Sequence, residues 1–149
     1  MGVSGIMRGR IKRFCTTLFL SYLLSVIYLT LFTFNHYVYG KSVNLIFFDS
    51  IKLMLASKDL LLIIKNILGN LILFFPLGFF LPILRKRFRK FWTILGIGFF
   101  SSLLIEACQY EFAQRIFDVD DILLNTIGAI VGWIFYKFLN SIKEKIVIW

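Results

Sequence analysis

Residues 70–100 read NLILFFPLGFFLPILRKRFRKFWTILGIGFF, and this stretch decides the fold. Two apolar runs flank a short hinge that carries Arg85, Lys86, Arg87, Arg89 and Lys90. A run of about 20 mostly apolar residues is long enough to cross the hydrocarbon core as a helix. Backbone groups in hydrocarbon find no water to bond, so such runs fold as helices, and the alternating ten-residue strands of a barrel are absent.

Working outward, the pair of runs extends to Ile63–Leu84 and Phe91–Tyr110, and two more appear at Phe14–Phe34 and Ile122–Leu139. The composition agrees. Of 149 residues 59% are hydrophobic, the mean hydropathy is +0.84, and a soluble domain of this length could not bury so much apolar surface. The sequence therefore predicts an all-α membrane protein with about four transmembrane helices, residues 1–149 forming one membrane domain.

A formal charge of +9 raises the question of nucleic acid, but the positive residues sit in short blocks beside the apolar runs. That placement is a topology signal rather than a nucleic-acid footprint. The N-terminus (Arg8, Arg10, Lys12, Arg13), the Arg85–Lys90 hinge and the tail (Lys137, Lys143, Lys145) together carry twelve basic residues, against five in the other half. The bias predicts a multi-pass protein of the cell membrane with both termini in the cytoplasm. Seven of the eight acidic residues then belong to the outer half, Glu144 being the exception. The apolar run at Phe14–Phe34 is too long for a signal peptide's core and no small-x-small cleavage site follows, so it reads as an uncleaved span. Ile6 stands where myristoylation needs Ser or Thr.

Residues 36–62 are too polar to cross and too apolar to float free. Phe47, Ile51 and Leu55 recur at helical spacing, which predicts an interfacial helix within about residues 44–57 on the outer side. His36 falls at the same boundary, where an interfacial role is expected. Cys15 and Cys108 sit near opposite ends of their spans, too far apart for a disulfide.

Polar groups within spans are costly and face protein or a cavity, so their placement is the most informative feature of the chain. Asn66 and Asn70 share a face of the second span, and Ser102, Glu106 and Gln109 form a stripe on the third. Asp121, Asn125, Gly128 and Gly132 do the same on the fourth, the glycines making a small-xxx-small pair that admits a close neighbour or a second copy of the chain. The connection before it adds Glu111, Arg115, Asp118 and Asp120. All of these converge, on the predicted topology, in one outward-opening polar pocket. A purely structural account pairs Arg115 with Glu106 or Asp118 and uses Asp120 or Asp121 as a helix cap. One cap does not need three aspartates in four residues.

Asp118, Asp120 and Asp121 with Glu106 would suit a hard divalent cation, although the spacing lacks the glycine and terminal glutamate of an EF-hand. No other cofactor pattern is evident: there is no P-loop, dinucleotide fingerprint or Ser-His-Asp set. Glu106 and Asp121 are the candidates for acid–base chemistry, if there is any.

Three motifs together resemble the VanZ-like family of bacterial membrane proteins. They are Asn66-x-x-Gly69-Asn70 with Phe74-x-Pro76-x-Gly78, Ser102-x-x-Ile105-Glu106-x-x-Gln109, and Arg115-x-x-Asp118-x-Asp120-Asp121-x-x-x-Asn125-x-x-Gly128. Asn44-Leu45-Ile46 also resembles the family's outer loop, with Phe47 where a proline is expected. The resemblance implies an integral membrane protein, associated in the founding case with low-level resistance to teicoplanin more than to vancomycin. It carries no settled reaction. Two functions follow as expectations. One is an envelope protein whose outer pocket, roofed by Asn44–Ser57, binds a lipid or lipid-linked cell-wall precursor and alters how lipoglycopeptides engage the surface. The alternative is a membrane enzyme that modifies such a lipid, using Glu106 and the Asp118, Asp120 and Asp121 cluster.

Overall fold

The structure is a computed structural model that describes residues 3–32, 42–112 and 115–147, and the side chains of residues 9–30, 42–112 and 115–144 among them. His36 and the last two residues of the expected first span lie outside this set. Four helices are long and apolar enough to cross a membrane: Gly9–Thr30, Leu60–Leu84, Phe91–Phe112 and Val119–Glu144. These are the four expected spans.

The first comprises α1 (Val3–Ile27) and a π-helical turn, Tyr28–Phe32. Within it the Thr30 hydroxyl donates to the Val26 carbonyl at 2.7 Å, and a side chain that bonds the preceding turn in this way competes with the regular ladder. The short helix α2 (Asp49–Ser57) follows the two-residue strand β1 (Val43–Asn44). The interfacial segment thus starts as strand and becomes helical only at Asp49, because β1 pairs in parallel with β2 (Phe117–Asp118), Val43 opposite Phe117 and Asn44 opposite Asp118.

The second span runs through α3 (Leu60–Ile63), a π-helical turn at Ile64–Leu68 and α4 (Gly69–Leu84). Asp59 starts it, accepting from the amides of Leu61 and Leu62 at 3.0 and 3.2 Å as an N-cap should. A 3₁₀ turn (Lys86–Arg89) leads into α5 (Phe91–Phe112), and α6 (Val119–Val147) completes the chain.

The most extensive packing is between α4 and α6, followed by α5 on α6 and α1 on α4. Glycine makes it feasible. A Cβ on Gly128 would stand 2.3 Å from the Leu71 carbonyl oxygen, and one on Gly132 2.0 Å from that of Phe75. Without an aqueous hydrophobic effect, helices in lipid rely on such close backbone approach for dispersion contact. The Gly128–Gly132 pair is therefore used inside the chain, which removes it as an interface for a second copy. Phe74, Ile94 and Ala129 fill the core beside it. The outward faces are largely apolar: Ile72, Phe100 and Leu104 are each about two-thirds exposed, at 67%, 68% and 65%. Faces of that kind suit a lipid solvent and not water.

Cys15 and Cys108 are both free thiols. Lys12, Arg89 and Lys143, from α1, the hinge and α6, line one cavity, so the basic blocks gather at one end of the bundle. Glu106, Asp118, Asp120 and Asp121 lie at the other, while Glu144 stays at the basic end beside Arg89.

Candidate functional site

At that second end the residues leading into α6 return to α5, the Arg115 amide donating to the Gln109 carbonyl at 3.3 Å. Glu106, 2% exposed on α5, accepts the Asp118 amide at 2.9 Å. Asp118 in turn accepts the Asp120 amide at 2.9 Å, the arrangement of an N-cap. The cap of α6 is thus Asp118, and Asp120 and Asp121 are free for other partners.

Asp120 takes a partner from a distant part of the chain. Phe48 stands at the N-cap of α2 and has no side-chain acceptor for the orphan amides of that helix's first turn. Asp120, 1% exposed, supplies it: the Phe48 amide donates to one carboxylate oxygen at 2.6 Å and the Ile51 amide to the other at 3.3 Å. A buried anion at a helix N-terminus is stabilised both by these bonds and by the helix dipole.

Asn44 and Ser50 bind the same roof to Asp118. The Asn44 amide donates to Asp118 Oδ1 at 3.2 Å and to the Ser50 oxygen at 2.9 Å, and the Ser50 hydroxyl donates to Asp118 Oδ2. The Asn44 Oδ1 accepts the Ile46 amide at 3.1 Å and shapes the turn into α2. Neither residue was among the candidates. Asn44 was visible only within the resemblance, and Ser50 carried no signal, since its partner lies 68 residues away.

Below this layer, Asn70 on α4 donates to Asp121 at 2.6 Å, which ties the second span to the fourth. One turn further along, Asn125 donates to the Ser102 hydroxyl at 2.9 Å. Ser102 is fully buried and Asn125 is 4% exposed, yet the Asn125 Oδ1 has no hydrogen-bond partner. Arg115 interacts favourably with both Glu106 and Asp121, while Asp118 repels both.

Seven of the sequence candidates therefore meet: Asn70, Ser102, Glu106, Asp118, Asp120, Asp121 and Asn125, with Arg115 acting on Glu106 and Asp121 through its charge. Two turn elsewhere. Asn66 donates to the Leu62 carbonyl of its own helix at 2.8 Å. Gln109 is buried but donates to the Thr30 carbonyl at 3.0 Å, fastening α5 to the end of the first span where the π-helical turn sits.

The arrangement can accept hydrogen bonds and hold positive or donor-rich groups. Among the described residues no three His, Cys, Asp or Glu side chains are placed to hold a metal ion. A cation at Asp118 and Asp120 would compete with the donors of Asn44, Ser50, Phe48 and Ile51.

A sequence model of the family described as VanZ/LLP1 matches residues 19–140. The chain belongs to the VanZ/LLP1 family. No curated protein and no solved structure matches it. The VanZ/LLP1 match begins in the first span and ends in the last, so it contains the whole acidic cluster and its roof.

Proposed function

We propose that this VanZ/LLP1 protein is a multi-pass protein of the cell envelope with both termini in the cytoplasm and the acidic cluster on the outer face. There it binds the headgroup of a membrane lipid or lipid-linked cell-wall precursor and lowers susceptibility to teicoplanin-type lipoglycopeptides. The Asn125 Oδ1 carries the reading: a buried acceptor without a donor costs about 1–3 kcal/mol, and a guest that donates would recover it. Four carboxyl groups beside one guanidinium offer acceptor oxygens to amine or sugar hydroxyl groups. α2 is held over the cluster, and its bounding residues Phe48 and Lys58 take left-handed φ values of 66° and 56°. Non-glycine residues held in that region carry backbone strain.

The test is native mass spectrometry of the full chain purified from Gram-positive membranes. Wild type should retain an amine- or sugar-bearing lipid that Asn125→Leu and Glu106→Gln lose. Retention of none by wild type, or of the same lipid by all three, overturns the reading. One observation favours catalysis instead: Arg115 acts on both Glu106 and Asp121, a carboxyl pair suited to proton transfer. An enzyme would leave a changed membrane lipid profile, which Glu106→Gln would restore completely. A binder leaves the profile unaltered.

A further inference from the structure

At the basic end, away from the acidic cluster, a cavity of about 490 Å³ opens between α1, α4 and α6. Its walls are of two kinds. Phe79, Ile83 and Leu139 form an apolar side, and Lys12, Arg89 and Lys143 bring three cations from three separate elements to its rim. Tyr136 also lines it, 7% exposed, with its hydroxyl buried and without a hydrogen-bond partner. The Arg89 guanidinium lies 5.9 Å from the centre of the Tyr136 ring, within cation–π range. The adjoining cavity shares Arg89, Tyr136 and Asn140 and contains an acid, Glu144, whose carboxylate accepts the Asn140 amide at 2.7 Å.

Three positive charges have gathered where their mutual repulsion opposes packing, around a hydroxyl that lacks the partner buried polar groups normally have. An anion bearing acceptor oxygens relieves both, and the apolar wall beside it asks for hydrocarbon. We propose that this cavity is a binding site for an anionic phospholipid, its phosphate held by Lys12, Arg89, Lys143 and the Tyr136 hydroxyl and its acyl chain along Phe79, Ile83 and Leu139. Basic pockets between membrane helices take anionic headgroups for these electrostatic reasons. The site is separate from the outer cluster, and its occupancy does not depend on the function proposed there.

The test uses the purified full chain in neutral detergent, titrated with phosphatidylglycerol, phosphatidylcholine or inorganic phosphate, with bound lipid counted by native mass spectrometry. Phosphatidylglycerol should bind and raise the thermal midpoint, and the other two should not. The triple variant Lys12→Gln, Arg89→Gln, Lys143→Gln should weaken binding on the order of a hundredfold, and Tyr136→Phe about tenfold. A control with equal charge loss at the other end, Lys52→Gln, Lys58→Gln, Lys65→Gln, should bind as wild type does. Equal binding of both lipids, equal loss in both triple variants, or an equal response to phosphate alone overturns the proposal. Should the first triple variant fail to fold, Lys12→Gln and Tyr136→Phe, each alone, decide the matter on the same criteria.

Discussion

Asp120, in the first turn of α6, caps a helix that is not its own: its carboxylate takes the Phe48 amide of α2 at 2.6 Å, across 72 residues of sequence. With Asp118 holding Asn44 and Ser50, this contact makes the segment from Asn44 into α2 a roof over the start of α6. The roof is anchored by side chains of the site itself.

Asp120→Ala should therefore free the roof and leave the bundle intact. Hydrogen exchange at the Phe48 and Ile51 amides is expected to accelerate by about 10- to 100-fold, consistent with losing charge-assisted bonds of roughly 1.5–3 kcal/mol. Exchange within α4 and α6 should not change. Unaltered protection at Phe48 would mean that the roof is held by something else.

Asn70 and Asp121 should behave as a coupled pair. A double-mutant cycle with Asn70→Ala and Asp121→Ala should return a coupling of about 0.5–3 kcal/mol in thermal unfolding, since either single change strands a partly buried partner. Simple additivity would place the 2.6 Å contact outside the energetics of the fold.

The glycines separate cleanly. Gly132→Ala puts a methyl group 2.0 Å from the Phe75 carbonyl oxygen and should cost about 1–3 kcal/mol. Gly96→Ala meets nothing within 4 Å and should be within about 0.5 kcal/mol of wild type. Thermostability in detergent measures both, and equal effects would contradict the α4–α6 packing described.

Orientation is checked with single-cysteine reporters in a chain carrying Cys15→Ser and Cys108→Ser. A membrane-impermeant maleimide added to intact cells should label Ser57→Cys and spare Arg87→Cys until the membrane is opened. The reverse pattern would invert the topology.

The spans were legible because length and hydropathy alone dictate them, and the polar stripes on α5 and α6 were legible because lipid penalises Glu106 and Asp121 outside a protein interior. The destinations of individual side chains were not. Gln109 shares the stripe of Ser102 and Glu106, but the Thr30 carbonyl lies within its reach. Local sequence offered Asp120 or Asp121 as the cap of α6, whereas tertiary pairing of β1 with β2 brought α2 within range of Asp120 and left that role to Asp118. Likewise, a small-xxx-small pair announces close approach without saying to which helix, and here it is α4.

The most direct measurement is teicoplanin susceptibility, with vancomycin alongside, in a sensitive Gram-positive host expressing wild type, Glu106→Gln or Asp121→Asn at matched membrane levels. Wild type should lower susceptibility to teicoplanin more than to vancomycin, and both variants should lose the effect. A wild-type protein without effect, or variants as protective as wild type, would contradict a lipoglycopeptide role for the outer cluster.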